Sequence, residues 1–255
     1  MTTPPRALLT HWAAELGCPE AYLAQPGTYL VRSSQLALNR LVVTRTELAS
    51  VLQVSTMLED RQEEGALLGG DGPLASEPLT AEQLIARLSQ PPLSMAWTEA
   101  IFCAPAGAVG KAATAATAQS SRRGPASPLA RELRGHDAAR LRAVLDAAGE
   151  REAFLSGIAG TQPPLFGSFE GDALCAVAGC QPRRGGVVGV RVLTAPQYRL
   201  RGHGAAAVSA AIVGGLKRDE YALLSVAYGN RPAMRLCQRL GMDQVAVEEG
   251  MELVA

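Results

Sequence analysis

Aromatic side chains are scarce in this 255-residue sequence, at 4 %, so aliphatic and alanine packing must fill the interior. Net charge is lacking too: 24 Lys and Arg stand against 24 Asp and Glu. That balance argues against a protein that grips nucleic acid with a broad basic surface, and leaves open only a local basic patch for a phosphorylated small molecule. No uninterrupted apolar run is long enough to span a bilayer, so no membrane partner is expected. The opening stretch MTTPPRALLTHWAAEL lacks a basic region followed by an apolar core, so no secretory signal is expected. The five cysteines, Cys18, Cys103, Cys175, Cys180 and Cys237, are odd in number and scattered. Cys175 and Cys180 have neither a second cysteine pair nor a histidine close in sequence to complete a zinc site, so no metal is expected. The thiols read as reduced core residues of a cytoplasmic protein. What is present is ordinary for a chain that buries a core: 47 % hydrophobic and 19 % charged residues.

The segment APAGAVGKAATAATAQSSRRGPASP, residues 104–128, contains no bulky apolar residue but one valine and reads as a linker. It divides the chain into an N-terminal α/β unit, 1–103, and a second domain, 129–255. GAVGKAAT within the linker imitates a phosphate-binding P-loop and fails it twice. Pro105 stands where the first glycine belongs, and Ala112 stands where a magnesium-holding Ser or Thr belongs. In the first unit, RALLTHWAAELG has helical spacing, with Gly17 as its stop. GTYLVRS, NRLVVTR and SMAWTEAIFCA read as strands. TELASVLQ is expected to be a helix capped by Thr46, and LTAEQLIARL a helix with Thr80 and Gln83 in capping-box spacing. The polar stretch 59–78 is expected to be a surface loop. His11, Trp12 and Trp97 read as core residues, with a pocket lining as the alternative.

The second domain reads as a short strand, a helix from near His136 to Gly149, and a further helical piece. A hairpin turning at Glu170-Gly171-Asp172 follows, then the strand VVGVRVLT. After it comes RLRGHG, residues 199–204, leading into an alanine-rich helix that ends near Leu216. Val208, Ile212 and Leu216 repeat every fourth residue, so one face of that helix packs on a sheet. Its start offers unpaired N–H donors and a partial positive charge. Gly202 and Gly204 let the backbone approach a ligand, and Arg199 and Arg201 add charge that suits phosphate oxygens. A diphosphate fits this arrangement, although an ordinary strand-to-helix turn has the same composition. Beyond it lie the strand YALLSVAYG, the helix RPAMRLCQRLG and a last strand region.

Two spaced motifs resemble the GNAT superfamily of N-acetyltransferases. Arg199-Leu200-Arg201-Gly202-His203-Gly204 is similar to the family's acyl-coenzyme A loop of Gln or Arg, two residues, Gly, one residue, and Gly or Ala. NRPAMRLCQRLGM is similar to its second signature through Asn230, Ala233, Leu236 and Gly241, with Met242 in the place of the aromatic. The resemblance covers residues 129–255. It implies a mixed, mostly antiparallel α/β (α+β) sheet with splayed central parallel strands flanked by helices. It implies that residues 199–204, including Leu200 and His203, cradle the pyrophosphate through main-chain N–H groups. The backbone of Val192, Leu193 and Thr194 would pair with the pantetheine as an added strand, and Asn230 would face the same gap. The ring of His203 is expected to be exposed beside the loop.

The function implied is that of an acyl-CoA-dependent N-acyltransferase, most simply moving acetyl from acetyl-CoA to a primary amine of a small molecule or peptide by direct attack. The alternative is a non-catalytic acyl-CoA-binding or sensor module. The family's tyrosine acid falls at Cys237, a weaker proton donor whose other reading is a small buried core residue. No carboxylate lies in VVGVRVLT to serve as base, and Glu170 and Tyr228 are candidates by position alone. Glu150 and Glu152 are candidates for attracting a cationic acceptor. The first unit is expected either to shape the acceptor pocket or to mediate homodimerisation.

Overall fold

The structure is a computed structural model that describes residues 1–34, 36, 40–55, 72–87, 93–109 and 128–253. Residues 107–109 of the P-loop imitation are helical, and the rest of it, with most of the expected linker, lies outside the described residues. The chain forms two compact units. The first comprises Met1–Phe102, Ser225–Asn230 and Gln244–Ala255, and the second comprises Cys103–Leu224 and Arg231–Asp243.

The first unit holds α1 (Arg6–Leu16), α2 (Ala21–Ala24), β1 (Gly27–Ser33), β2 (Arg40–Arg45), β3 (Ala49–Ser55), β4 (Gly72–Ala75), α3 (Ala81–Arg87) and most of β5 (Leu93–Pro105). Helix α1 stops where Gly17 turns left-handed, at φ 71°, a conformation that costs glycine little. Helix α3 opens on a reciprocal capping box: the Gln83 N–H donates to Thr80 Oγ1 at 3.2 Å and the Thr80 N–H to Gln83 Oε1 at 2.8 Å. Strands β1 and β3 run parallel, β2 pairs antiparallel with β3, and β4 pairs antiparallel with β1. The chain's closing strand, β11 (Asp243–Leu253), returns to pair with β2 from Val247↔Arg45 to Glu252↔Arg40. Leu30, Leu41, Val43, Leu52, Val54, Leu79, Leu84 and Met251 form the core of this unit. His11 and Trp12 are buried, and Trp12 also lines a polar cavity of about 280 Å³ together with Thr44 and Gln53.

Two expectations fail in this unit. The expected helix at TELASVLQ is strand β3, buried along its whole length. Thr46 Oγ1 does accept a backbone N–H three residues on, from Ala49 at 3.0 Å, but it closes a turn rather than opening a helix. A Thr hydroxyl makes the same local bond in both settings, and the following aliphatic run is decided by its sheet neighbours. The expected surface loop contains β4 at residues 72–75; residues 59–71 lie outside the described residues.

The second unit runs through β6 (Ala130–Glu132), α4 (Ala138–Ala148), α5 (Glu150–Ser156), β7 (Leu165–Glu170), β8 (Ala173–Pro182), β9 (Val187–Thr194), α6 (His203–Gly215), the first part of β10 (Tyr221–Ala227) and α7 (Arg231–Arg239). β6, β7, β8 and β9 pair antiparallel in that order, and β9 continues into a parallel pair with β10. The β7–β8 hairpin turns at Gly171, whose φ of 57° is left-handed. One face of this sheet is covered by α4, and Val144, Ile158, Leu174, Val177 and Leu193 fill the layer. Helix α6 packs against β7, β8 and β9 and buries Ala207, Val208, Ala211 and Ile212 completely. Burying Val208 and Ile212 contributes about 1.5–3 kcal/mol each. The small residues of α6 set its approach: a Cβ on Gly214 would stand 2.6 Å from the Phe166 ring. The architecture is mixed α/β, mostly antiparallel, with helices flanking the strands.

Candidate active site

The strand β9 has two unlike edges. Along one it pairs with β8 from Pro182↔Val188 to Ala176↔Thr194. Along the other its register with β10 covers Val187, Val188 and Gly189 alone, against Tyr221, Ala222 and Leu223. The downstream half of β9, which carries Val192, Leu193 and Thr194, has no ladder partner on that edge among the described residues. An open strand edge with unpaired main-chain groups is what an extended amide-bearing ligand uses to add itself to a sheet.

The chain leaves β9 through a short 3₁₀ turn, Pro196–Tyr198, and enters α6 through the glycine loop. Leu200 is left-handed at φ 61°, the one non-glycine residue with positive φ among those described. Gly202 is left-handed too, at φ 89°, and is the N-cap of α6. The first helical bond runs from the Ala206 N–H to the Gly202 carbonyl at 3.0 Å. The six preceding N–H groups, of residues 200–205, have no acceptor among the described residues. Left-handed residues alternating with right-handed ones turn successive N–H groups into one concavity that suits an anion. Gly204 sits in a tight place: a Cβ there would lie 2.9 Å from Thr194 Oγ1 and 3.2 Å from Leu236 Cδ1, so those side chains would have to shift.

Charge around the loop is arranged in pairs. Arg199 donates through Nη2 to both carboxylate oxygens of Glu152, at 2.6 Å each, and through Nε to the Thr194 carbonyl at 3.3 Å. Arg201 donates to Glu170, with Nη2 at 3.0 Å from Oε1 and 2.8 Å from Oε2. Both pairs are near half-exposed, so each is worth at most about 1 kcal/mol and yields readily to a polyanion. Glu152 also lines a surface depression beside Glu150 and Leu155.

The ring of His203 is not exposed, contrary to the sequence reading; it retains 4 % of its exposure. The first turn of α6 faces the sheet, where the Ser168 hydroxyl lies 3.0 Å from Nδ1 and Glu170 Oε2 lies 3.5 Å from Nε2. Burial pushes the His203 pKa down, with Glu170 working against it. Cys237 is fully buried, and burial pushes its thiol up to about 12. A thiol that holds its proton so firmly is a poor acid, so this side chain packs as core. Asn230 and Tyr228 belong to the first unit. The Asn230 N–H closes a turn on Ala227 at 2.8 Å, and exposed Tyr228 donates its N–H to the Thr98 carbonyl at 2.9 Å. The second unit thus gathers residues 192–194 and 199–204 with Glu152, Ser168 and Glu170. Ser168 carried no signal in the sequence, because its partner lies 35 positions away.

The second unit is thus a mixed α/β fold in which an open strand edge leads into a glycine-opened helix start. Residues 136–242 match the acetyltransferase (GNAT) family, and the chain carries a GNAT acetyltransferase domain there, preceded by an N-terminal extra region. No curated protein matches the chain. Solved structures similar to it include a putative GNAT acetyltransferase from Novosphingobium aromaticivorans, 20 % identical over 65 % of this chain and 70 % of that one, TM-score 0.39. A GCN5-related N-acetyltransferase from Kribbella flavida is 19 % identical over 71 % of this chain and 65 % of that one, TM-score 0.47. Another from Sphaerobacter thermophilus is 16 % identical over 69 % and 57 %, TM-score 0.46. The chain therefore spans less than two thirds of the latter two. Among the described residues no helix is long and apolar enough to cross a membrane.

Proposed function

We propose that the chain is an acyl-CoA-dependent N-acyltransferase, most simply of acetyl, acting on a primary amine of a small molecule or peptide. The observation that carries this reading is the run of six N–H groups at residues 200–205 with no acceptor among the described residues, beside a glycine where a Cβ would crowd Thr194 and Leu236. Those amides hold the pyrophosphate of coenzyme A, and Arg199 and Arg201 exchange their carboxylate partners for its oxygens. The open edge of β9 at Val192, Leu193 and Thr194 holds the pantetheine amides and fixes the ligand's direction toward the sheet. Acyl-CoA, when bound, supplies an acyl thioester whose carbonyl the neutral amine attacks directly. A main-chain N–H on the same edge polarises that carbonyl. Once freed from Arg199, Glu152 is a carboxylate able to draw a cationic acceptor.

A second reading is binding without turnover, as a sensor of acyl-CoA. The buried, firmly protonated thiol of Cys237 favours it, since no acid is offered at the family's tyrosine position. Calorimetry with acetyl-CoA tests what the two share. Wild-type protein should bind, and the double variant Gly202→Val, Gly204→Val should lose affinity by at least tenfold; equal affinity in the two would remove the loop from the site. Release of free thiol in the presence of an amine panel then divides the readings. Turnover above background hydrolysis excludes the sensor, and binding without turnover on every amine favours it.

A further inference from the structure

We propose that Glu170, Cys175 and His203 form a Zn²⁺ site on the second unit, tying the β7–β8 hairpin to the start of α6. The carboxylate at the end of β7, the thiol on β8 and the imidazole on the first residue of α6 place their donor atoms within 4.8 Å of one another. Zinc bonds of about 2.0–2.3 Å to N, O and S set the edges of a tetrahedron at about 3.3–3.8 Å. The His203 Nε2 to Glu170 Oε2 separation of 3.5 Å falls on such an edge and is longer than the usual N–H···O bond of about 2.7–3.2 Å.

The imidazole is already oriented. Ser168 Oγ engages Nδ1 at 3.0 Å inside the unit, and Nε2 is the nitrogen 3.5 Å from the Glu170 carboxylate. Metal-bound histidines are held in this way through their other ring nitrogen. Cys175 and His203 are buried while Glu170 is half-exposed, so three protein ligands leave a fourth position for water. On binding, the Cys175 thiol loses its proton to solvent. The resulting thiolate and the carboxylate together neutralise the ion, which suits a site that is buried on one side. A mixed N, O and S donor set selects zinc over magnesium or calcium. The competing partner is Arg201, whose ion pair with Glu170 is half-exposed on both sides and is weak for that reason.

The experiment uses the full chain without acyl-CoA, so its outcome is independent of the acyltransferase reading. Co²⁺ titration should produce a sulfur-to-cobalt charge-transfer band that saturates at one equivalent, and competition with a chromophoric chelator should give the Zn²⁺ affinity. Cys175→Ser should abolish the band, and Cys18→Ser should leave it intact. Glu170→Gln and Ser168→Ala should each weaken Zn²⁺ binding by about tenfold or more. Glu170→Gln changes a half-exposed side chain at a hairpin end, so it answers the question even where Cys175→Ser folds poorly. No band in the wild-type chain, a band that survives Cys175→Ser, or a Zn²⁺ affinity unchanged by Glu170→Gln each overturns the proposal.

Discussion

Gly204 and Cys237 show how one backbone atom or one burial decides a residue's role. At position 204 the limit is space, because a Cβ would crowd the ends of the Thr194 and Leu236 side chains. At position 237 the family resemblance implies an acid, while the fold leaves the thiol no exposure and burial pushes its pKa up to about 12. Cys237→Ala should therefore keep kcat and kcat/KM for acyl transfer within about twofold and cost only about 1 kcal/mol of stability, the usual scale of a small core truncation. Steady-state kinetics together with denaturant unfolding check this. A fall in kcat of a hundredfold at unchanged stability would restore the acid role.

Helix α4 is fastened to its strand by one carboxylate. Asp137 has 1 % side-chain exposure and receives Arg131 at 2.7 Å, Arg140 at 3.2 Å and the Arg134 N–H at 3.0 Å. The hydrogen bond from Arg131, followed by that from the Arg134 backbone, holds its pKa well below the ordinary 3.8. A carboxyl lowered in the folded state stabilises it fully above the unfolded pKa, and the contribution fades as pH falls toward the lowered value. The melting temperature of the wild-type chain should thus exceed that of Asp137→Asn by several degrees at pH 7, and the gap should close as pH falls below 3.8. A gap independent of pH would assign the loss to packing instead. The boundaries of α1, α3 and the β7–β8 hairpin were legible from Gly17, the Thr80–Gln83 box and Gly171, since each of those signals is satisfied by near neighbours. Strand β3 was not legible, because Thr46 makes the same short-range bond at a turn as at a helix start.

At the scale of the molecule the first unit is not contiguous in sequence. Its sheet includes β11, whose Val245, Val247 and Met251 are buried and whose ladder partner is β2. A chain beginning at Cys103 would leave that strand without its partner and its apolar side chains in water. Such a truncation should aggregate or melt without cooperativity, as size-exclusion chromatography and calorimetry can read. A monodisperse truncated chain with a sharp transition would show that residues 225–230 and 244–253 do not need the N-terminal strands.

The sequence alone determined the glycine-opened entry to α6 and the order of elements in the second unit, because both depend on spacing within a few residues. Only the tertiary structure decided that six amides find no acceptor among the described residues, that Arg199 and Arg201 rest on Glu152 and Glu170, and that the ring of His203 turns inward to Ser168. Those outcomes depend on groups tens of positions apart meeting at hydrogen-bond range. Local patterning carries no information about such meetings until the strands have paired.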